Sequence, residues 1–438
     1  MRGTFYIHSL GCDKNTVDSE KLAFALREAG FSPIDGPEGA DYILVNTCGF
    51  IDSAKEESVE ALFEAARFKS AGAKAVIALG CLAQRYAKEL EAGIEGLDLV
   101  CGKGSIDAIL AFLLEGAPAA EWSEEGRIVS TPPYTAYLKI SEGCNKVCSF
   151  CAIPKIVGNL KSRSMDSLFK EAEILAGNGV RELVLVAQDT GDYGSDLSDG
   201  SSLPKLLRRL ECIEGIHWIR LMYMYPESIS SELVELMKSS HKILPYLDIP
   251  FQHASDRILR AMARPQTKEG IKGQISMLRD EIPGIAIRSS FVCGFPGESR
   301  SDVDELKSFL CEARLDRVGV FCYSREEGTK AYGLPGHVPS KEKNRRYGEL
   351  MQLQESLSQK NMEDRIGTYI EVLIEGEESP GVYAGRSYMD APDVDGIVYV
   401  HTGEDLCAGD FLWAYVTGAT AHDLIADAKK GLSNEPPQ

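Results

Sequence analysis

The sequence predicts an α/β multidomain protein of three parts. A doubly wound α/β domain comes first, then a partial parallel barrel of six βα units, then a small antiparallel β-barrel. Three observations carry this. Short apolar runs alternate with helical patterns over residues 1–125. The alternation resumes at a different spacing after a Pro-containing break. Beyond residue 366 the composition turns to Val, Tyr, Ile and Gly with frequent turn residues. At 438 residues the chain is too long for one ordinary domain.

In the first domain, residues 5–10, 42–47 and 75–79 read as strands, with 97–100 a weaker fourth. Between them, 53–68 is an amphipathic helix with Ala, Glu and Lys on its polar face. That rhythm argues a parallel sheet. The stretch 116–133 is a linker. The second domain, 133–340, holds candidate strands at 136–140, 182–187, 218–223, 246–250, 286–292 and 317–323, which makes a (βα)6 partial barrel. A charged helix over 341–366 connects it to the third domain, 367–430. There, turns around Ser379-Pro380-Gly381 and Asp395-Gly396 separate short β runs. The tail from Gly431 is expected to fray.

Lys and Arg number 47 against 66 Asp and Glu, a net charge of −19. Such a chain has no general hold on phosphate backbones. The first ten residues are too poorly apolar for an export signal, with His8 inside them. No run approaches the ~18 apolar residues of a membrane span. A reducing, cytoplasmic setting is therefore expected. Twelve cysteines in such a setting point to metal binding or redox chemistry rather than to disulfide staples.

The strongest motif is Cys144-Asn-Lys-Val-Cys148-Ser-Phe-Cys151, directly after a predicted strand. Three thiolates can hold three irons of a 4Fe-4S cluster and leave the fourth open for a substrate to chelate. A redox pair of Cys148 and Cys151 is the alternative, although such pairs lack a third thiol at this offset. A second set is dispersed: Cys12, Cys48 and Cys81. Each follows a predicted strand, each touches a glycine, and they recur about one βα unit apart. Carboxyl ends of parallel strands share one sheet edge, so the three thiols can meet there. Buried structural thiols are the alternative. Cys101 follows the weak fourth strand and reads as a core thiol; as a fourth ligand it would close the second cluster.

Cofactor contacts in a barrel gather at the carboxyl ends of its strands. Gln188 and Asp189 end the second barrel strand, Gln252 and His253 the fourth, and Gly294 to Glu298 follow the fifth. A polar loop, a structural histidine and a plain turn explain these stretches nearly as well.

Taken together, these residues resemble the methylthiotransferases of the radical S-adenosylmethionine superfamily over nearly the whole chain. The resemblance implies an N-terminal methylthiotransferase domain, a radical SAM barrel and a C-terminal TRAM domain. It implies that Cys144, Cys148 and Cys151 bind the cluster that cleaves S-adenosylmethionine, with Phe150 near adenine, and that Cys12, Cys48 and Cys81 bind a second cluster. The stretches Ala187-Gln188-Asp189-Thr190, 246–254 and 388–396 look like the branch that modifies a ribosomal protein rather than tRNA. The implied target is the β-carbon of an aspartate in the twelfth small-subunit protein, with a protein electron donor. Val157-Gly158 departs from the family, which often carries Arg-Gly there.

An unactivated C–H bond is beyond side-chain acid–base chemistry, so radical abstraction with cofactors is the fitting tool. Substrate class turns on the third domain. Residues 367–430 carry 12 Asp and Glu but 3 Lys and Arg. An RNA-binding barrel needs a basic groove with stacking aromatics, so a tRNA adenosine substrate is the weaker alternative. Asp390, Asp393 and Asp395 are expected to steer a basic ribosomal protein; a solvated acidic surface is the competing explanation. A non-catalytic iron–sulfur carrier would instead need a fully ligated cluster.

Overall fold

The computed structural model describes residues 2–116 and 122–428. Part of the predicted linker and the predicted frayed tail lie outside these.

The N-terminal domain is a parallel sheet of β1 (Thr4–Ser9), β2 (Ser32–Pro33), β3 (Tyr42–Thr47), β4 (Ala75–Gly80) and β5 (Leu99–Val100), in the order β2-β1-β3-β4-β5. Helices α1 (Asp13–Glu28), α2 (Asp52–Arg67), α3 (Cys81–Gly93) and α4 (Ile106–Leu113) cover it. The apolar runs of β3 and β4 are buried on both faces, as a doubly covered parallel sheet requires. Val45 and Val76 pack under Leu62, while Leu44 and Ile77 pack under Leu22 and Leu110. The linker is pinned to α1, where Glu20 Oε1 accepts from Ser130 N at 2.7 Å.

The second domain begins with β6 (Thr135–Lys139) and a two-residue ladder of β7 (Ser141–Glu142) with β8 (Lys161–Ser162). It continues through β9 (Glu182–Val186), β10 (Trp218–Leu221), β11 (Ile243–Asp248), β12 (Ala286–Cys293) and β13 (Arg317–Cys322). The order β6-β9-β10-β11-β12-β13 leaves the two end strands unpaired with each other, so the barrel is open, as predicted. Leu138, Leu185, Leu221, Leu247 and Ile287 point outward beneath the helices. Tyr137, Val184, Val186, Met222 and Tyr246 point the other way. The Ser340–Glu363 helix then leads to the third domain.

That domain is a closed barrel of β14 (Tyr369–Ser379), β15 (Val382–Ser387), β16 (Val398–His401), β17 (Phe411–Ala419) and β18 (Leu424–Ala428), ordered β14-β15-β16-β18-β17. The expected small antiparallel barrel is present with one correction, because β16 and β18 pair in parallel. Strand direction cannot alternate around a closed ring of five, so one parallel pair is unavoidable.

A second correction concerns Asp390, Asp393 and Asp395. The β15–β16 loop carrying them faces the inner side of the half-barrel. Asp390 pairs with Arg317, Asp395 lies 3.3 Å from Arg288 and accepts from Tyr246 Oη at 2.9 Å, and Asp393 accepts from Tyr137 Oη at 3.4 Å. Asp390 is 1% exposed. Asp390 and Asp395 therefore dock one domain on another and do not steer a partner, whereas Asp393 stays exposed. Among the described residues no helix is long and apolar enough to cross a membrane.

Candidate functional site

The strands that precede Cys12, Cys48 and Cys81 are β1, β3 and β4, consecutive neighbours in the sheet. Cys12 caps α1, Cys48 follows β3 directly and Cys81 opens α3. Gly11, at φ +92°, lets two of these turns touch: a Cβ there would lie 2.8 Å from Cys48 Cβ and 3.0 Å from its Sγ. Asn15 laces the turns by donating to Leu10 O at 2.8 Å and Thr47 O at 3.2 Å, and its Oδ1 lies 3.9 Å from Cys81 Sγ. Cys12 and Cys48 are close enough to act electrostatically on the Cys81 thiol. Cys101 stands apart. Its thiol donates to Ala78 O at 3.7 Å and packs in the α1–α4 core.

Cys144, Cys148 and Cys151 lie in the loop bracketed by β7 and β8. Cys151 N donates to Cys148 O, and Cys144 N donates to Gly158 O. Gly158 itself has φ +81°. Val157, where the family often has Arg, packs into a small apolar cluster with Ala152, Ile156 and Cys81. That cluster joins the two trios, since Cys81 belongs to one and Ala152 follows Cys151 of the other. The segment after β10 joins them again. Tyr225 Oη is 3.9 Å from Cys148 Sγ, while Tyr223 Oη donates to Asp13 of α1 at 2.8 Å.

All twelve cysteines are free. Burial pushes the Cys81 thiol up to about 11 and the Cys151 thiol up to about 12, so a metal must displace their protons. Each trio has a cation beside it to balance thiolate charge. Arg264 Nη1 is 3.7 Å from Cys148 Sγ. Lys103 acts on Cys48 and Cys81 and is 9% exposed; it sits 2.9 Å from Asp18 and 3.5 Å from Glu142. Among the described residues no His, Cys, Asp or Glu group is arranged to hold a single ion. Within each trio the thiols are near enough to act on one another's charge, and a 4Fe-4S cluster is a group that takes three thiolates at separate corners.

The predicted cofactor contacts divide. Phe150 is half-buried against Ile258, Met262, Phe295 and Tyr323. Gln188 Nε2 donates to Glu142 at 3.2 Å, and its Oε1 is buried with no partner. Gln252 has φ +74° at its bridge to Phe291, a strained backbone for a non-glycine residue. Asp189 is fully engaged: it accepts from Gly191 N, Tyr225 N at 3.1 Å and Ser228 Oγ at 2.8 Å, and meets Lys146 at 3.3 Å. Glu298 likewise accepts from Gly294 N at 2.9 Å and Arg346 at 2.7 Å. A Cβ on Gly294 would meet Lys343 Cγ at 2.2 Å. His253 Nδ1 accepts from Ser255 N, and its Nε2 lies 3.6 Å from Glu298, a structural placement. Asn15, Lys103, Arg264, Tyr223 and Tyr225 escaped the sequence reading. Of these, Asn15 alone had a signal, sitting one helical turn after Cys12.

Comparison with known proteins agrees with these three parts. The chain matches the models described as uncharacterized protein family UPF0004 over residues 4–102, the radical SAM superfamily over 138–310 and the TRAM domain over 366–428. A ribosomal protein uS12 methylthiotransferase RimO from Thermoanaerobacter sp. (strain X514) is 46% identical over 432 residues, covering 96% of this chain and 99% of the relative. The protein of the same name from Clostridioides difficile (strain 630) is 43% identical over 433 residues, covering 96% and 98%. The radical S-adenosylmethionine methyltransferase TsrM from Kitasatospora setae, solved with cobalamin and a 4Fe-4S cluster, shares the fold. Its TM-score is 0.54 at 14% identity, covering 88% of this chain and 80% of that one.

Proposed function

The chain belongs to the ribosomal protein uS12 methylthiotransferase (RimO) family of radical S-adenosylmethionine enzymes, and from that premise we propose that it adds a methylthio group to the β-carbon of an aspartate in that ribosomal protein. The observation that carries this reading is the meeting of two free thiol trios across a domain boundary, at Cys81 against Ala152.

We assign Cys144, Cys148 and Cys151 to one 4Fe-4S cluster and Cys12, Cys48 and Cys81 to the other. When bound, the clusters and S-adenosylmethionine supply the electron, the radical and the sulfur that no side chain here can provide. The chain supplies the rest. Phe150, Gln188, Gln252 and the backbone at Gly294 line the S-adenosylmethionine site. Gln188 Oε1, buried without a partner, is the group most in need of a ligand donor. Asp189 and Glu298 act one step back, the first by holding Tyr225 against Cys148 and the second by fixing Gly294. Arg264 and Lys103 stand beside the thiolates.

The basic ribosomal protein meets acidic groups that remain exposed on the third domain: Glu377, Glu378, Glu404 and Asp405. A protein electron donor and a cytoplasmic setting complete the reading. The test is anaerobic incubation of the reconstituted chain with uS12, S-adenosylmethionine and a reductant. A methylthio adduct on the aspartate, read by mass spectrometry, is expected. Cys148→Ala should abolish both the adduct and deoxyadenosine. An unmodified uS12 beside normal deoxyadenosine formation in the wild type would overturn the substrate.

A further inference from the structure

The cations around the two trios are nearly all committed. Lys103 and Lys139 share Asp18 and Glu142, Lys146 meets Asp189 and Asp192, Arg85 meets Glu326, and Arg264 donates to Pro250 O. Lys14 differs. It is 7% exposed, two positions past Cys12 on the first turn of α1. Among the described residues its Nζ has no hydrogen-bond acceptor and no carboxylate within ion-pair range. Instead it lies over the Tyr223 ring, 3.3 Å from the centroid.

Tyr223 is built to stay there. Its backbone is left-handed at φ +58°, its N donates to Asp248 at 3.2 Å, its O accepts from Thr190 N at 3.0 Å, and its hydroxyl is fixed on Asp13. Strain of this kind persists where the surroundings over-determine it. Two residues on, Tyr225 reaches Cys148, so the ring beneath the ammonium belongs to the segment that joins the two trios. A ring face balances part of an ammonium's charge but accepts no strong hydrogen bond. An ammonium on a largely buried side chain, with a ring face and, among the described residues, no acceptor beside it, leaves a place for an arriving anion.

We propose that Lys14 is the specificity-determining cation of the site, pairing with the carboxylate of the aspartate to be modified. This rests on the substrate reading above and deepens it. A carboxylate could also come from S-adenosylmethionine. Lys14, however, is two positions from Cys12 on α1, on the domain that carries the other trio and not the Cys144 trio to which that cofactor is assigned. The pairing explains selection of aspartate over its neutral isostere. Asparagine would bring an amide to a buried cation that needs an anion.

The test uses the reconstituted full chain, purified uS12, and uS12 carrying asparagine at the target position, with Kd read by fluorescence anisotropy. The wild type should bind the aspartate form about ten-fold or more tightly than the asparagine form. Lys14→Gln should bind the two alike, and Lys14→Arg should keep most of the preference. Lys14→Met, which retains the packing stem, gives the same reading if Lys14→Gln loses iron. A neutral variant that keeps the full preference overturns the inference. So does a neutral variant that loses S-adenosylmethionine affinity while keeping the preference, since Lys14 then serves the cofactor. A wild type without preference that still methylthiolates uS12 sinks this inference alone. A wild type that yields no methylthiolated uS12 sinks the substrate reading with it.

Discussion

Arg386 of the C-terminal barrel donates to Glu182 at 2.7 Å, at the first residue of β9, and both side chains are buried. Arg220 on the adjacent strand donates to the other oxygen at 2.8 Å and to Tyr388 O at 2.7 Å. One carboxylate thus holds two guanidiniums where the domains meet. Burial alone would raise its pKa, yet Arg386 and Arg220 hold it at about 2, against an ordinary 4.5. A depressed carboxylate gives its full stabilisation above the ordinary value and loses it as pH falls toward the depressed one. The fluorescence of Trp218, whose indole donates to Glu371 of the barrel at 3.2 Å, should therefore report loosening as pH drops below about 4.5. Glu182→Ala strands two buried guanidiniums and should cost about 3–5 kcal/mol in urea unfolding at pH 7. A variant as stable as the wild type would show that the dock does not depend on the pair.

Much of this architecture was legible because its strands are continuous apolar runs. Residues such as 43–45 and 183–186 are buried on both faces, and periodicity needs no tertiary information to find them. The cysteine trios were legible for a related reason: parallel strands bring their carboxyl ends to one edge. β2 escaped because it is two residues, Ser32 and Pro33, with no run to detect. The Asp390 loop was misjudged because a charge count does not say whether a carboxylate faces water or an arginine from another domain. Lys103, in a Gly-Lys-Gly turn, and Arg264 carry no sequence signal at all. Their meaning lies in contacts that cross the chain.

Iron content separates the trios. The reconstituted wild type should hold about eight irons, and alanine at Cys12, Cys48 or Cys81 should leave about four, as should alanine at Cys144, Cys148 or Cys151. Cys101→Ala should leave the count unchanged, because its thiol is turned to Ala78 O. A drop in iron with Cys101→Ala would make it a ligand and close the second cluster's open corner.

Arg264 should tune the first cluster's potential. Its guanidinium lies 3.7 Å from Cys148 Sγ and over the Tyr225 ring. A nearby positive charge favours the reduced, more negative state of a cluster. Arg264→Met should therefore shift the potential downward by tens of millivolts, on the order expected for one partly screened charge, with iron content retained. Redox titration followed by electron paramagnetic resonance reads this. An unchanged potential would reduce Arg264 to a packing residue.

The acidic third domain contains two populations of carboxylate that mutation should distinguish. Glu404 and Asp405 are exposed, so replacing both with Lys should leave stability within about 0.5 kcal/mol. The same change should weaken uS12 binding by slowing association, and the deficit should fade as salt rises. Asp390 is buried against Arg317, and its other oxygen accepts from Ser387 N and Oγ. Asp390→Ala should take from that guanidinium its salt-bridge partner, leaving His422 O and the more distant Asp395, and lower stability by several kcal/mol, with no salt dependence in the binding that remains. Stopped-flow association at two salt concentrations, paired with urea unfolding, measures both. If Asp390→Ala instead gave a salt-sensitive binding defect in a fully stable protein, the loop would face the partner and the docking role would fall.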